Sequence, residues 1–277
     1  MESKEKSRNS TVDILRGIAM LMVVFGHTMT GCTKYSEDSF LFNIVWTLQM
    51  PLFILISGYV TKYSKPINSI KALGKFIKKR TLAYLLPWTI WTFVIRGMIF
   101  QQSNYLDIKY VVYHMDAGYW FLFTIWTIVI VFGIAQLISE KLCHRKNKYF
   151  KMIALAIAYV LGMSVLGGIG LIMGLSFLGI KLTLYYMPFY FAGYLFGQIQ
   201  PNMEHLKFGQ RIIDSCIAIC LVVWIALMKR YNFYAIGESE FGIIIRAFAS
   251  LSGCIAVCGL IAQLTNNSSG GGYSYNM

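Results

Sequence analysis

Charge is what this sequence has least of. Asp, Glu, Lys and Arg make up 13% of its 277 residues, against about a quarter in an ordinary soluble domain. With 57% apolar residues and a mean hydropathy of +0.57, the chain has too little polar surface to face water all round. A soluble fold is excluded. Cysteine is present but unpatterned: Cys32, Cys143, Cys216, Cys220, Cys254 and Cys258 contain no C-x-x-C pair, and four of them sit at i, i+4 spacing inside apolar runs. That pattern excludes a disulfide framework and a zinc site, and reads as small apolar side chains on helix faces. The Gly-rich LGGIGLIMG lacks a nucleotide loop, because Met173 stands where G-x-G-x-x-G needs its last glycine and no P-loop lysine follows. No internal repeat is visible, so the paired halves of many transporters find no support.

What is there is a series of apolar runs. Each is about 20 residues, the length that crosses a hydrocarbon core of roughly 30 Å. The pattern predicts eight spans, at 11–32, 42–62, 82–101, 119–139, 150–169, 183–199, 211–229 and 241–264. The glycines after the fifth, Gly162, Gly167, Gly168, Gly170, Gly174 and Gly179, predict a re-entrant turn or an extra half-helix there. The expected architecture is an all-α polytopic bundle over 11–264, with a segment 1–10 before it and a disordered polar tail, 265–277, behind it. The first run is longer than the about 7–15 residues of a signal core, so it is expected to stay as a helix.

The net charge of +13 follows this pattern and not a nucleic-acid surface. Lys62, Lys65, Lys71, Lys75, Lys78, Lys79 and Arg80 lie between the second and third spans, and Lys141, Arg145, Lys146, Lys148 and Lys151 between the fourth and fifth. The loops after spans one, three and five are poor in Lys and Arg. The basic loops and the N-terminus, with Lys4, Lys6 and Arg8, are therefore expected on the cytoplasmic side of the cell membrane. Lys229 and Arg230 are the discord, placed by this scheme on the outer side beside Glu238 and Glu240.

The segment RGIAMLMVVFGH puts an ionisable residue at each end of an apolar helix, Arg16 and His27. Eleven residues is close to three helical turns, so the two side chains share a face about 16 Å apart along the axis. An ionisable group at membrane depth costs about 2–3 kcal/mol or more against lipid, and is expected to face a bundle interior or a cavity. On the residues alone, Arg16 also reads as a snorkelling anchor and His27 as a bridge to a neighbouring carbonyl.

Arg-x10-His in a first helix, TVDILRGIAMLMVVFGH, resembles the signature of acyltransferase family 3, integral-membrane O-acyltransferases of surface carbohydrates. QMPLFILISGYV (49–60), FIKKRTLAYLLPW (76–88), Trp120-Phe121-Leu122 and FYFAGYLFG (189–197) are similar to further elements of that family, in its order. The MPLF…SGY variant resembles the sugar O-acetylase branch, including fucose 4-O-acetylase relatives. Family members usually carry two more spans than the eight read here, so by this resemblance the chain is short at its C-terminus.

The resemblance implies acyl transfer, most readily acetyl, from acyl-CoA to a hydroxyl of a cell-surface or lipid-linked carbohydrate, with no tightly bound cofactor and no metal. It implies that Arg16 holds donor phosphate or orients the thioester, and that Arg80, with Lys79, binds donor phosphate. Ser57 and Gly58 then line the site and Trp120 contacts substrate. Imidazole, which ordinarily titrates near pH 6.5, suits a general base, and His27 is the one histidine placed inside a span. His114 and Asp116 lie just before the fourth span and are the acceptor-side candidates. Two other readings stay open: a transporter or channel with Arg16 and His27 in a proton or anion pathway, and an inactive truncated remnant.

Overall fold

A computed structural model describes residues 9–32, 39–115, 120–143, 147–204, 209–233 and 239–270. Asp116 lies outside them, as does the tail from 271 onward. The elements are α1 (Ser10–Cys32), α2 (Phe40–Val60), α3 (Ile70–Thr89), which continues as a π-helix (Ile90–Ile99), and the short α4 (Ile108–Tyr113). They are followed by α5 (Trp120–Leu142), α6 (Lys148–Met173), α7 (Ile180–Glu204), α8 (Gly209–Arg230) and α9 (Glu240–Gly270). No β-strand occurs among the described residues.

The helices begin where the sequence supplies side-chain acceptors for the orphan N–H groups of a first turn. Asn9 Oδ1 accepts from Val12 N–H at 3.2 Å, Ser39 Oγ from Phe42 at 3.1 Å, Ser69 Oγ from Ala72 at 3.2 Å and Ser239 Oγ from Gly242 at 3.1 Å. Asp107 opens α4 and Asn147 opens α6 in the same way.

Two expectations are corrected. The third span starts at Ile70 and not at 82, because Ser69 caps a helix that takes in Lys71, Lys75, Lys78, Lys79 and Arg80. Most of the basic loop is therefore helix. The glycines of 162–170 do not break α6 either. The helix runs through them to Met173 and stops only at Gly174, whose φ of +95° a residue with a Cβ adopts at a cost. No half-helix forms; a single 3-10 turn, Phe177–Gly179, joins α6 to α7. In addition, α9 runs on to Gly270, beyond the expected boundary at 264.

Seven of these helices are long and apolar enough to cross a membrane. The sixth expected span, 183–199, now α7, is as long as the others at 25 residues but rich in tyrosine and flanked by Lys181, Gln198 and Gln200. Helix parity bears on its status. Thr11, at the start of α1, hydrogen bonds Thr265, near the end of α9, at 2.7 Å, so the two ends lie at one level of the bundle. If the seven membrane-length helices all cross, an even number of passages between these ends requires α7 to cross as well.

The chain divides into two compact units, one formed by residues 1–62 with 189–277 and the other by the continuous stretch 63–188. In the first, α2 packs against α1, α8 and α9 around Leu48, Leu52, Ile56, Trp224, Phe233 and Cys254. Gly26 of α1 lets Val45 and Gln49 of α2 approach to where a Cβ would stand, and Gly253 of α9 does the same for the Trp224 ring. Trp224 Nε1 donates to Thr47 Oγ1 at 3.3 Å. In the second unit, α5 is the central helix, with α3 and α6 on its two sides. Trp126 Nε1 donates to Thr81 at 3.1 Å, Gly133 admits the Phe76 ring, and Gly162 admits Val131. Tyr159 of α6 is buried and donates to the Met187 carbonyl at 3.1 Å.

Candidate active site

The residues picked out by sequence fall into two sets, Arg16, His27, Ser57 and Gly58 in the first unit and Lys79, Arg80, His114 and Trp120 in the second. On α1 the buried stripe is Val12, Leu15, Ala19 and Gly26, which faces α2 and α9. Arg16 and His27 lie together on the flank of that stripe, about 20° apart around the axis by helix geometry. Both side chains are exposed, and neither has a hydrogen-bond or ion-pair partner among the described residues. They are thus off the core of the first unit, on one ladder, with their polar atoms uncommitted.

Ser57 and Gly58 share one turn of α2 but differ in their surroundings. The Ser57 hydroxyl donates to the Phe53 carbonyl at 2.8 Å, one turn back, and keeps its acceptor lone pairs. Gly58 is buried where α2 crosses α7. A Cβ there would collide with the Tyr190 carbonyl, and one on Gly193 would collide with the Leu55 carbonyl. Gly197, one turn beyond, sits against Tyr59. The motifs ILISGYV and FAGYLFG, far apart in sequence, meet backbone to backbone at this crossing.

In the second unit Lys79 is exposed on α3, whereas Arg80 is half-buried with its guanidinium carbon 5.3 Å from the centre of the Phe76 ring. Its Nε is buried and makes no hydrogen bond. Further along the same helix, Trp88 Nε1 and Thr92 Oγ1 are buried and unbonded as well, and so is Thr124 Oγ1 on α5. Thr92 is one turn from Trp88, and Thr124 follows Phe123, whose ring lies 5.4 Å from that of Trp88. Trp88 closes the FIKKRTLAYLLPW motif, but Thr92 and Thr124 escape sequence reasoning, since a Thr inside an apolar run carries no periodic signal. Thr92 also lies within the π-helical turn that follows Pro87, a wider helix form that recurs at functional sites.

Trp120 opens α5 and stacks on Tyr186 of α7, with ring centres 5.4 Å apart and planes at 12°. Tyr185 meets Tyr186 edge-on at 4.9 Å, so the three rings form one aromatic group. His114, which ends α4, lies 4.3 Å over the Tyr110 ring, and its Nδ1 is 3.0 Å from the Tyr110 carbonyl. A carbonyl only accepts, so Nδ1 carries the proton in this contact and Nε2 is left for another partner.

A bundle of membrane-length helices, with arginine and histidine on one ladder and unbonded donors inside a second helix group, defines a polytopic all-α membrane protein with polar chemistry on its helices. The chain belongs to acyltransferase family 3, whose sequence profile, described as an acyltransferase domain, matches residues 9–275. It is similar to the nodulation protein NolL of Sinorhizobium fredii, with 25% identity over 244 residues, 82% of this chain and 60% of that protein. It is also 26% identical over 209 residues to the nodulation protein NolL of Mesorhizobium japonicum, covering 69% of this chain and 48% of that one. The chain thus spans between 48% and 60% of the length of these curated relatives. No solved structure matches it.

Proposed function

We propose that this protein is a membrane O-acyltransferase that moves an acetyl group from acetyl-CoA to a hydroxyl of a cell-surface or lipid-linked carbohydrate. Membership of acyltransferase family 3, with Arg16 and His27 on one ladder of α1, is the observation that carries this reading. In the reaction, the imidazole of His27 takes the proton of the acceptor hydroxyl. The hydroxyl oxygen attacks the thioester carbonyl, the C–S bond breaks, and coenzyme A leaves as thiolate and is then protonated. Arg16 holds a donor phosphate or the thioester oxygen through its planar fork of N–H groups. Arg80, whose buried Nε lacks a protein acceptor, binds donor phosphate with Lys79. Ser57 lines the path, and Gly58, closed off by the Tyr190 carbonyl, holds α2 against α7 beside it. Trp120, with one face against Tyr186, meets the apolar face of the sugar ring, and His114 stands on the acceptor side.

The test is His27→Ala in the full-length protein, with transfer of labelled acetyl from acetyl-CoA measured in membranes of cells making the glycan. Removing a general base is expected to cost about 10²–10⁴ in rate. Arg16→Lys is expected to raise the KM for acetyl-CoA more than it lowers kcat, because an ammonium keeps the charge and loses the fork. Undiminished acetylation by a correctly inserted His27→Ala protein sinks the base assignment.

A further inference from the structure

The first unit contains a cavity of about 350 Å³ at the end where α2 begins and α8 finishes. It is lined by Ser39, Phe40 and Asn43 from α2, and by Met228, Lys229, Arg230, Tyr231 and Asn232 at the end of α8. We infer that this cavity binds the phosphate group of a membrane lipid.

The first argument is charge. Lys229 and Arg230 are both exposed, and neither forms an ion pair with a described acid, including Glu240 at the start of α9. The positive N-terminal end of α2 and the negative C-terminal end of α8 both border the cavity and offset each other, so the two side chains set its net charge. Cations placed against the charge bias of the rest of the chain need a reason, and an anion in this cavity provides one. The second argument is preorganisation. Asn43 is buried and donates to the Met228 carbonyl at 3.1 Å and the Tyr231 carbonyl at 2.8 Å, while its Oδ1 accepts from Phe233 N–H at 3.0 Å. Those three bonds fix the turn after α8 onto α2, so the two basic residues are held at the mouth of a formed cavity. The third argument selects the source of the phosphate. Both helices are of membrane length, so the cavity lies at the level where their apolar bodies end. Phe40 and Met228, beside the cations, offer apolar contact to a chain attached to the phosphate, which a free anion does not use. This inference stands apart from the transferase reading and needs neither Arg16 nor His27.

The test uses the full-length protein in an uncharged detergent and measures binding of short-chain phosphatidylglycerol, the matching uncharged diacylglycerol and inorganic phosphate. Phosphatidylglycerol is expected to bind, with the other two much weaker. The double variant K229Q/R230Q is expected to bind phosphatidylglycerol roughly thirtyfold more weakly, at about fivefold per cation. The swap K229R/R230K keeps both charges and is expected to bind within about threefold of the parent, which guards against a folding defect in the glutamine variant. Equal binding of diacylglycerol, undiminished binding by K229Q/R230Q, or inorganic phosphate binding as tightly as the lipid overturns the inference.

Discussion

Asn43 joins two helix ends through three hydrogen bonds to backbone groups that have no helical partner of their own. Removing its amide leaves two carbonyls and one N–H to be satisfied in a buried place. Each such group costs about 1–3 kcal/mol when it is stranded, although the carbonyls lie close enough to the cavity for water to recover part of this. Asn43→Ala is therefore expected to lower the unfolding free energy by about 2–4 kcal/mol, read as a lower thermal midpoint in detergent. Asn43→Asp keeps the acceptor for Phe233 and loses both donors, so it is expected to fall between the parent and the alanine variant or below it. A midpoint unchanged by Asn43→Ala refutes the role given to these bonds. At the same scale, Arg16 and His27 show how much one residue's chemistry reveals before a structure is known. Their shared ladder follows from helix periodicity alone, and the exposed flank of α1 carries both. The unbonded Thr92 and Thr124 were not legible, because hydroxyl satisfaction depends on the partner helix and on a π-helical turn that no sequence period announces.

At the scale of helices, the crossing of α2 and α7 is set by glycines with different duties. Gly58 and Gly193 each stand where a Cβ would overlap a carbonyl of the opposite helix, so the two backbones lie closer than any side chain between them would allow. Between membrane helices, where lipid competes equally for apolar side chains, such close packing is a main source of association. Gly58→Ala or Gly193→Ala is expected to destabilise the first unit by at least about 1–3 kcal/mol, the usual cost of overpacking. Gly167→Ala is the contrast. Nothing lies within 4 Å of the Cβ it would gain, and alanine favours helix over glycine by about 1 kcal/mol, so its thermal midpoint is expected to hold or rise. A common response from all three variants refutes this division. The same contrast explains what the sequence disclosed about elements. Apolar runs and their caps located the helices, but composition treats Gly58 and Gly167 alike, and the expected break at the glycines of α6 failed for that reason. A glycine ends a helix when its φ must turn positive, as at Gly174, and α6 asks this of none of its earlier glycines. Likewise a run of lysines looks like a loop until Ser69 is recognised as the cap that makes it the first turns of α3.

For the whole molecule, two independent contacts count the crossings. The Thr11–Thr265 bond puts the start of α1 level with the end of α9, and the cavity shared by Ser39 and Arg230 puts the start of α2 level with the end of α8. Both call for an even number of passages between the paired ends, which, if the seven membrane-length helices each cross once, requires tyrosine-rich α7 to cross too. The side on which this bundle begins is a matter of charge, and the Lys and Arg of the segments around α3 and α6 predict a cytoplasmic N-terminus, which remains to be tested. Two native thiols read that orientation without any inserted reporter. Cys32 ends α1 and is exposed, while Cys143 follows α5, four passages along the chain, and is part-exposed. With the N-terminus inside, one crossing leaves Cys32 on the outer face and four return Cys143 to the cytoplasm. A membrane-impermeant maleimide applied to intact cells is then expected to label Cys32 and to reach Cys143 only after the membrane is opened. Cys216 and Cys220 lie within α8, and Cys254 and Cys258 within α9, where hydrocarbon keeps the charged reagent from arriving, so they add little in either state. Labelling of Cys143 in intact cells, with Cys32 protected, would turn the bundle over and place the cavity of Lys229 and Arg230 on the cytoplasmic side, where the discord in their charge would disappear.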